Sequence, residues 1–313
     1  METIGQRPSI DNKRKPAPFD LSGPSGTPPR MSILLQKVAP IGEERDRERL
    51  KLATDFVYRE TPQGEISAHV FFPPDELEIP VTGRPVIVFF HAGFWDTAMP
   101  TQFVPHCLHF ATRGAVAIAA ETRVASKHGT GPQEALDDAR EMIRWIRRNA
   151  GTLGVDPERI TVGGAAGGAW LALLTALPKE KDLPSEEGID CRPQALVLFS
   201  ALFNTTARGI KHRFPDGKSA RRTSPLKLAR RKLPPMILFH GKTDRVTPIK
   251  DAEKFARKLR WRGNTCELVD YERADHSFFN FNVSHLHFEL TVAAADRFLT
   301  QRGLLPIPPP DLV

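Results

Sequence analysis

The stretch Ile160-Thr-Val-Gly-Gly-Ala-Ala-Gly-Gly-Ala-Trp170 confines this chain to few folds. An apolar β-branched run meets four glycines within six residues, then small and apolar residues follow. The pattern reads as strand, sharp turn and helix. Glycines at such a turn let the helix pack tightly on strands where a Cβ would have no room. Written as a motif it is Gly164-x-Ala166-x-Gly168, the Gly-x-Ser-x-Gly nucleophile elbow with alanine in the central place. A methyl group has no lone pair and no removable proton, so it cannot attack a carbonyl. A phosphate-binding turn fits less well. The stretch lacks the Lys-Ser/Thr of a P-loop and matches Gly-x-Gly-x-x-Gly only if Ala165 is skipped.

The rest of the chain supplies the elements that such a turn needs. Phe56–Glu60 and Ile66–Phe72 read as strands joined by a Pro62-Gln-Gly64 turn. Residues 85–90 and 115–120 are continuous apolar runs, expected of strands buried on both faces. Residues 159–162, 195–199, 236–239 and 267–271 are expected as further strands. Ala135, Ala139, Met142, Ile143 and Ile146 recur at helical spacing within Glu134–Asn149, with Arg147 and Arg148 at its end. Helices are also expected over 167–177, 249–261 and 284–302. Strands alternating with helices predict a mainly parallel, doubly wound α/β sheet of about eight strands with helices on both faces. Residues 1–45 are rich in Pro, Gly, Ser and charge and are expected as a loose tail, with a short charged helix near 40–52. Residues 46–313 are expected as a single domain.

Three further signals follow in chain order. His91-Ala-Gly-Phe-Trp95 succeeds the strand ending at Phe90, where backbone N–H groups can face a developing oxyanion. Only Gly93 is kept from a His-Gly-Gly-Gly loop; Ala92 and Phe94 replace the other glycines. Next, an apolar strand runs into His240-Gly-Lys-Thr-Asp244 and a turn at Pro248. Asp244 stands where an acid can orient an imidazole, or it caps the helix that follows. Last, His276 follows the final strand and can serve as a base toward position 166. A lone histidine is more often structural; the order elbow, Asp, His favours the catalytic reading.

Together these motifs resemble the α/β-hydrolase esterase/lipase family, in its hormone-sensitive-lipase-like and acetyl-xylan- or feruloyl-esterase-like branches. The resemblance spans about Thr54 to Leu305 and includes Glu121-Thr-Arg123, Leu153-Gly-Val-Asp-Pro157 and His276-Ser-Phe-Phe-Asn280. It implies the α/β-hydrolase fold, with residues 200–233 as a small basic cap segment. It implies Gly93, Phe94 and Gly167 as oxyanion donors, Asp244 as triad acid, His276 as triad base, and a nucleophile at position 166. His91, Trp95 and Phe278 are expected to line the substrate pocket. The chain departs from the family at Ala166, at the loop glycines, and at Gly167-Gly168-Ala169, where Ala-Gly-Gly is usual.

The expected function is thus an esterase-like protein that has lost, or nearly lost, ester hydrolysis. Two alternatives stay open: an active short-acyl carboxylesterase whose elbow serine was exchanged for alanine, and a non-catalytic ligand-binding or regulatory protein. Ser126, Ser200 and Ser277 are the candidate substitute nucleophiles, and none lies on an elbow. Net charge is +7, but Arg208–Lys232 holds ten Lys/Arg against one acid, Asp216. Such a run is usually a solvated face, yet it can attract an anionic ligand. With Phe214 as its single aromatic, nucleic acid is not an expected partner. The expected partner is a small ester or acyl compound, with a bias to anionic ones. Cys107, Cys191 and Cys266 form neither a disulfide framework nor a metal-ligand pattern, so no metal and no cofactor is expected. No secretory h-region or membrane span is visible, so a cytoplasmic location is expected.

Overall fold

A computed structural model describes residues 42–77, 80–177 and 188–307. Most of the expected tail, residues 1–41, lies outside the described residues. In chain order the structure runs α1 (Gly42–Leu50), β1 (Thr54–Thr61), β2 (Gly64–Phe71), β3 (Arg84–Phe90), α2 (Val104–Thr112), β4 (Val116–Ala120), α3 (Ala125–His128), α4 (Pro132–Arg148) and α5 (Ala150–Leu153). There follow β5 (Val155–Ala165), α6 (Gly167–Ala176), β6 (Ala195–Phe199), α7 (Gly217–Arg222), α8 (Pro225–Leu228), β7 (Met236–Gly241), α9 (Ile249–Trp261), β8 (Cys266–Tyr271) and α10 (His285–Thr300).

The eight strands form one sheet in the order β1-β2-β4-β3-β5-β6-β7-β8. β2 pairs antiparallel with β1 and β4, and every pairing from β4 through β8 is parallel. The apolar runs are explained by strand alternation. Val86, Val88 and Phe90 face one core, while Ile87 and Phe89 face the other. The first core is covered by α4, α6 and α9, the second by α2 and α10. This is the expected α/β-hydrolase architecture, with helices on both faces.

Helix α1 runs through the 45/46 boundary expected from composition. Asp46 accepts from Asn282 Nδ2 at 2.7 Å, Arg45 donates to Asn282 Oδ1, and the Arg45 guanidinium lies 4.3 Å from the Phe281 ring centre. These contacts dock the helix on the loop that follows His276. The basic segment is likewise anchored. Ile210, Phe214, Ala220 and Leu226 are buried in the first core, leaving the cations outside. No helix among the described residues is long and apolar enough to cross a membrane.

Candidate active site

β5 ends at Ala165, and α6 begins at Gly167, so Ala166 alone makes the turn. It has φ 47° and ψ −109°, a sparsely populated region for any residue with a Cβ. The turn is held from both sides: Ala166 N donates to Phe199 O at 3.1 Å, and Leu202 N donates to Ala166 O at 3.3 Å. The glycine at 168 is required by packing. A Cβ there would stand 2.2 Å from Phe90 O and 2.3 Å from His91 O. That approach presses the elbow helix onto the end of β3 and its following loop.

The loop after β3 thereby meets the elbow. A Cβ at Gly167 would lie 3.0 Å from Phe94 Cα and 3.1 Å from Phe94 N. Gly93, with φ 96°, turns the loop, and Asp96 N closes it on Gly93 O at 3.1 Å. The N–H groups of Gly93, Phe94 and Gly167 are not used in hydrogen bonds to described residues. The structure therefore brings Phe94 N and Gly167, two of the three expected oxyanion donors, together, with Gly93 next to Phe94 in the loop. Gln102 props the loop: its Oε1 accepts from Ala92 N at 2.6 Å, and its Nε2 donates to Asn280 Oδ1 at 3.1 Å.

Asp244 and His276 are paired. His276 Nδ1 donates to Asp244 Oδ2 at 2.8 Å. The carboxylate also accepts from Val246 N at 2.8 Å, Thr247 N at 2.9 Å and Thr247 Oγ1 at 2.8 Å. His240 Nε2, which donates to Thr247 O at 2.6 Å, stands 3.3 Å from Asp244 Oδ2. Burial alone would raise the Asp244 carboxyl, but its donors, His240 and His276 foremost, hold it well below the usual carboxylate range. The acid is thus a fixed anion that sets the imidazole tautomer with Nδ1 protonated and Nε2 free to accept a proton.

The His276 loop reaches Asp244 because the end of β7 is bare. A Cβ on Gly241 would lie 2.3 Å from Ala274 O and 2.4 Å from Asp275 O. Thr243 N and Oγ1 then fasten Ala274 O at 3.0 and 2.7 Å. Ser200 is a second fastener. It is fully buried with φ 42°, and its Oγ donates to His276 O at 2.8 Å. The segment 199–202 thus touches Ala166 on one side and His276 on the other. Ser200 is spent as a strut, Ser126 is exposed, and Ser277 sits half-exposed next to the imidazole in sequence.

The three residues expected at the pocket separate. His91 is buried, its Nδ1 bonded to Ala92 O at 2.6 Å; burial pushes its basicity down. Trp95 is buried with φ 65° and packs edge-on against Trp170 at 4.7 Å and Phe214 at 5.7 Å. Phe278 faces the second core against Tyr271 at 5.0 Å and His287 at 5.6 Å. A cavity of about 360 Å³ lies beside the oxyanion loop, lined by Phe94, Trp95, Asp96, Thr130, His212 and Arg213 among others.

Sequence reasoning missed the supports Gln102, Thr247 and Arg213. Arg213 donates to Phe94 O at 3.2 Å, pairs with Asp96, and lies 5.6 Å from the Phe94 ring centre. None of these carries a motif; each is visible only once distant segments are brought together. Among the described residues no group of three His, Cys, Asp or Glu is placed to hold a metal ion.

Comparison with known proteins bears on the family and the fold. A family profile described as BD-FAE matches residues 74–197. The chain is 27% identical over 205 residues to Esterase LipC of Mycobacterium tuberculosis, covering 58% of this chain and 50% of that protein. It is 31% identical over 119 residues to Carboxylesterase NlhH of the same species, covering 37% of this chain and 35% of that protein. The chain thus spans half or less of the length of these curated relatives. Among solved structures, propionate-bound esterase Est2 of Thermogutta terrifontis is similar with a TM-score of 0.76 and 34% identity, over 83% of this chain and 98% of that one. The chain belongs to the α/β-hydrolase esterase family.

Proposed function

We propose that this protein binds a small ester or acyl ligand on an esterase scaffold and has lost, or nearly lost, serine-type ester hydrolysis. The observation that carries this reading is Ala166 in the strained elbow, φ 47° and ψ −109°, in a chain that keeps a bonded Asp244–His276 pair. The base has no hydroxyl at position 166 to deprotonate, so no acyl-enzyme can form there. Ligand binding needs only the oxyanion donors and the cavity beside Phe94 and Trp95, which remain. Arg213 in its wall can meet an anionic ligand, although its ion pair with Asp96 offsets that charge.

Loss of a triad serine removes about six orders of magnitude in turnover, while roughly 10³–10⁴ over water survives through binding and the oxyanion hole. Weak residual hydrolysis is therefore compatible with the reading, and covalent labelling is the sharper test. Thermogutta terrifontis esterase 2 is described as phosphorylated by paraoxon. Incubation of this protein with paraoxon, read by intact mass, is expected to leave it unmodified. A stoichiometric adduct on any residue would overturn the proposal. Ala166→Ser is then expected to gain the adduct at position 166 and to raise short-chain ester hydrolysis by several orders of magnitude. A serine variant that labels but does not turn over would locate the defect in the oxyanion loop rather than the elbow.

A further inference from the structure

The basic segment carries a second feature, independent of the elbow. Helix α7 places Lys218, Arg221 and Arg222 at positions i, i+3 and i+4, so the three cations share one helix face. Helix α8 adds Lys227 and Leu228, and these five residues line an open groove of about 550 Å³. No acid lines it. Lys218, Arg221, Arg222 and Lys227 make no salt bridge or side-chain hydrogen bond with any described residue. The segment's one acid, Asp216, instead caps α7 by accepting from Ser219 N at 2.6 Å.

Like charges at helical spacing on one face are unfavourable. The field extends further, since Lys258, on α9, donates to Leu226 O at 2.6 Å behind the groove. Its ammonium is pushed down by burial and then by Arg262, Lys227 and Lys254. A solvated charged face on a loose loop would carry this at little cost. Here the backbone is fixed. Ala220 is fully buried on the back of α7, Thr205 Oγ1 bonds Ala220 O, and Trp170 Nε1, from the elbow helix, donates to Thr223 O at 2.8 Å. The cations are therefore held in place with only Asp216, whose carboxylate is held down in part by Arg222, to offset them among the described residues.

We propose that this groove is a binding site for a small soluble polyanion carrying two or more phosphoryl groups. Two adjacent guanidinium forks suit the bidentate geometry of phosphoryl oxygens better than single carboxylates, and two ammonium groups add point charges. The volume matches that of small-molecule sites, about 300–1,000 Å³.

The test uses inorganic triphosphate and the whole chain, with binding read by titration calorimetry at low and at 0.3 M salt. One site per chain is expected, tighter for triphosphate than for sulfate at equal ionic strength. Affinity should fall as salt rises. Arg221→Gln with Arg222→Gln should weaken binding at least about tenfold, since charge-assisted hydrogen bonds are lost. Arg208→Gln with Lys211→Gln, which removes the same charge outside the groove, should weaken it far less. Equal losses in the two double variants would overturn the site, as would equal affinity for triphosphate and sulfate. If only vesicles bearing phosphorylated lipid bind, and free triphosphate does not, the soluble-ligand proposal also fails. Circular dichroism of both variants separates loss of binding from loss of fold.

Discussion

A β-carbon at φ 47° is a cost that a hydrolase accepts to expose its serine. At Ala166 the cost remains, although the methyl does no chemistry. The strain persists because neighbours over-determine the turn: Phe199 O and Leu202 N bond its two ends, and Gly168 seats the helix on Phe90 O. Glycine tolerates this backbone region, so Ala166→Gly should relax it. The relief, of order 1–3 kcal/mol, exceeds the roughly 0.4–1 kcal/mol lost to a more flexible unfolded chain. Ala166→Gly is therefore expected to raise stability by about 1 kcal/mol, whereas Ala166→Ser should leave it nearly unchanged. Chemical denaturation of the three proteins decides. If glycine destabilises, the turn is not strained in solution. The sequence showed this residue's place because four glycines surround it. It pointed to Asp244 because an apolar strand runs into it, and to His276 because it follows the last strand, after the elbow and the acid in chain order. It could not show Gln102, Thr247 or Ser200, whose roles depend on which carbonyl or amide lies opposite after folding.

At the scale of elements, the strands were the most legible feature, since apolar runs of five to seven residues have few other uses. Helix α2 was the least. Pro105 and two histidines interrupt its apolar pattern, yet His106 is fully buried among Phe89, Phe103, Phe199 and Phe288, where burial pushes it down to about 3 and keeps it neutral. A histidine of the opposite kind ties the antiparallel edge of the sheet. His69, on β2, bonds Asp55 of β1 at 2.7 Å and Glu121, just past β4, at 3.1 Å. Burial would lower its pKa, but the hydrogen bonds to Glu121 and Asp55 and their charges outweigh this and raise it. A raised folded value means that the protonated bridge stabilises the fold fully below the unfolded value of about 6.5. That contribution is lost as pH rises through the higher folded value. Stability should therefore decline between pH 6 and 9 by more in the unsubstituted chain than in His69→Gln. Parallel pH profiles for the two proteins would remove His69 from the account.

For the whole molecule, the question is how the basic segment stays beside the site while its surface repels itself. The charge run alone reads as a solvated face and does not reveal that the apolar residues spaced through it are buried. Phe214 answers the question. It lies edge-on to Trp95 at 5.7 Å and to Trp170 at 5.8 Å, joining the basic segment to the loop after β3 and to helix α6. Arg213 adds a polar clamp next to it through Phe94 O and Asp96. Truncation of a buried aromatic of this kind costs about 3–5 kcal/mol when the surroundings cannot collapse. The basic segment packs on the first core through Ile210, Phe214, Ala220 and Leu226, so the cost of Phe214→Ala should fall there first, as local opening rather than global unfolding. Hydrogen exchange is expected to rise in residues 205–230 and in the 93–96 loop, with β3, β5 and β6 still protected. In an Ala166→Ser background the same truncation should reduce ester turnover, because the Phe94 N–H loses its backing. If exchange rises evenly across the sheet, Phe214 is a core residue like any other. If the cap opens but turnover in that background is unchanged, the cap does not position the oxyanion loop, and Phe94 is held by Gly93 and Gln102 alone.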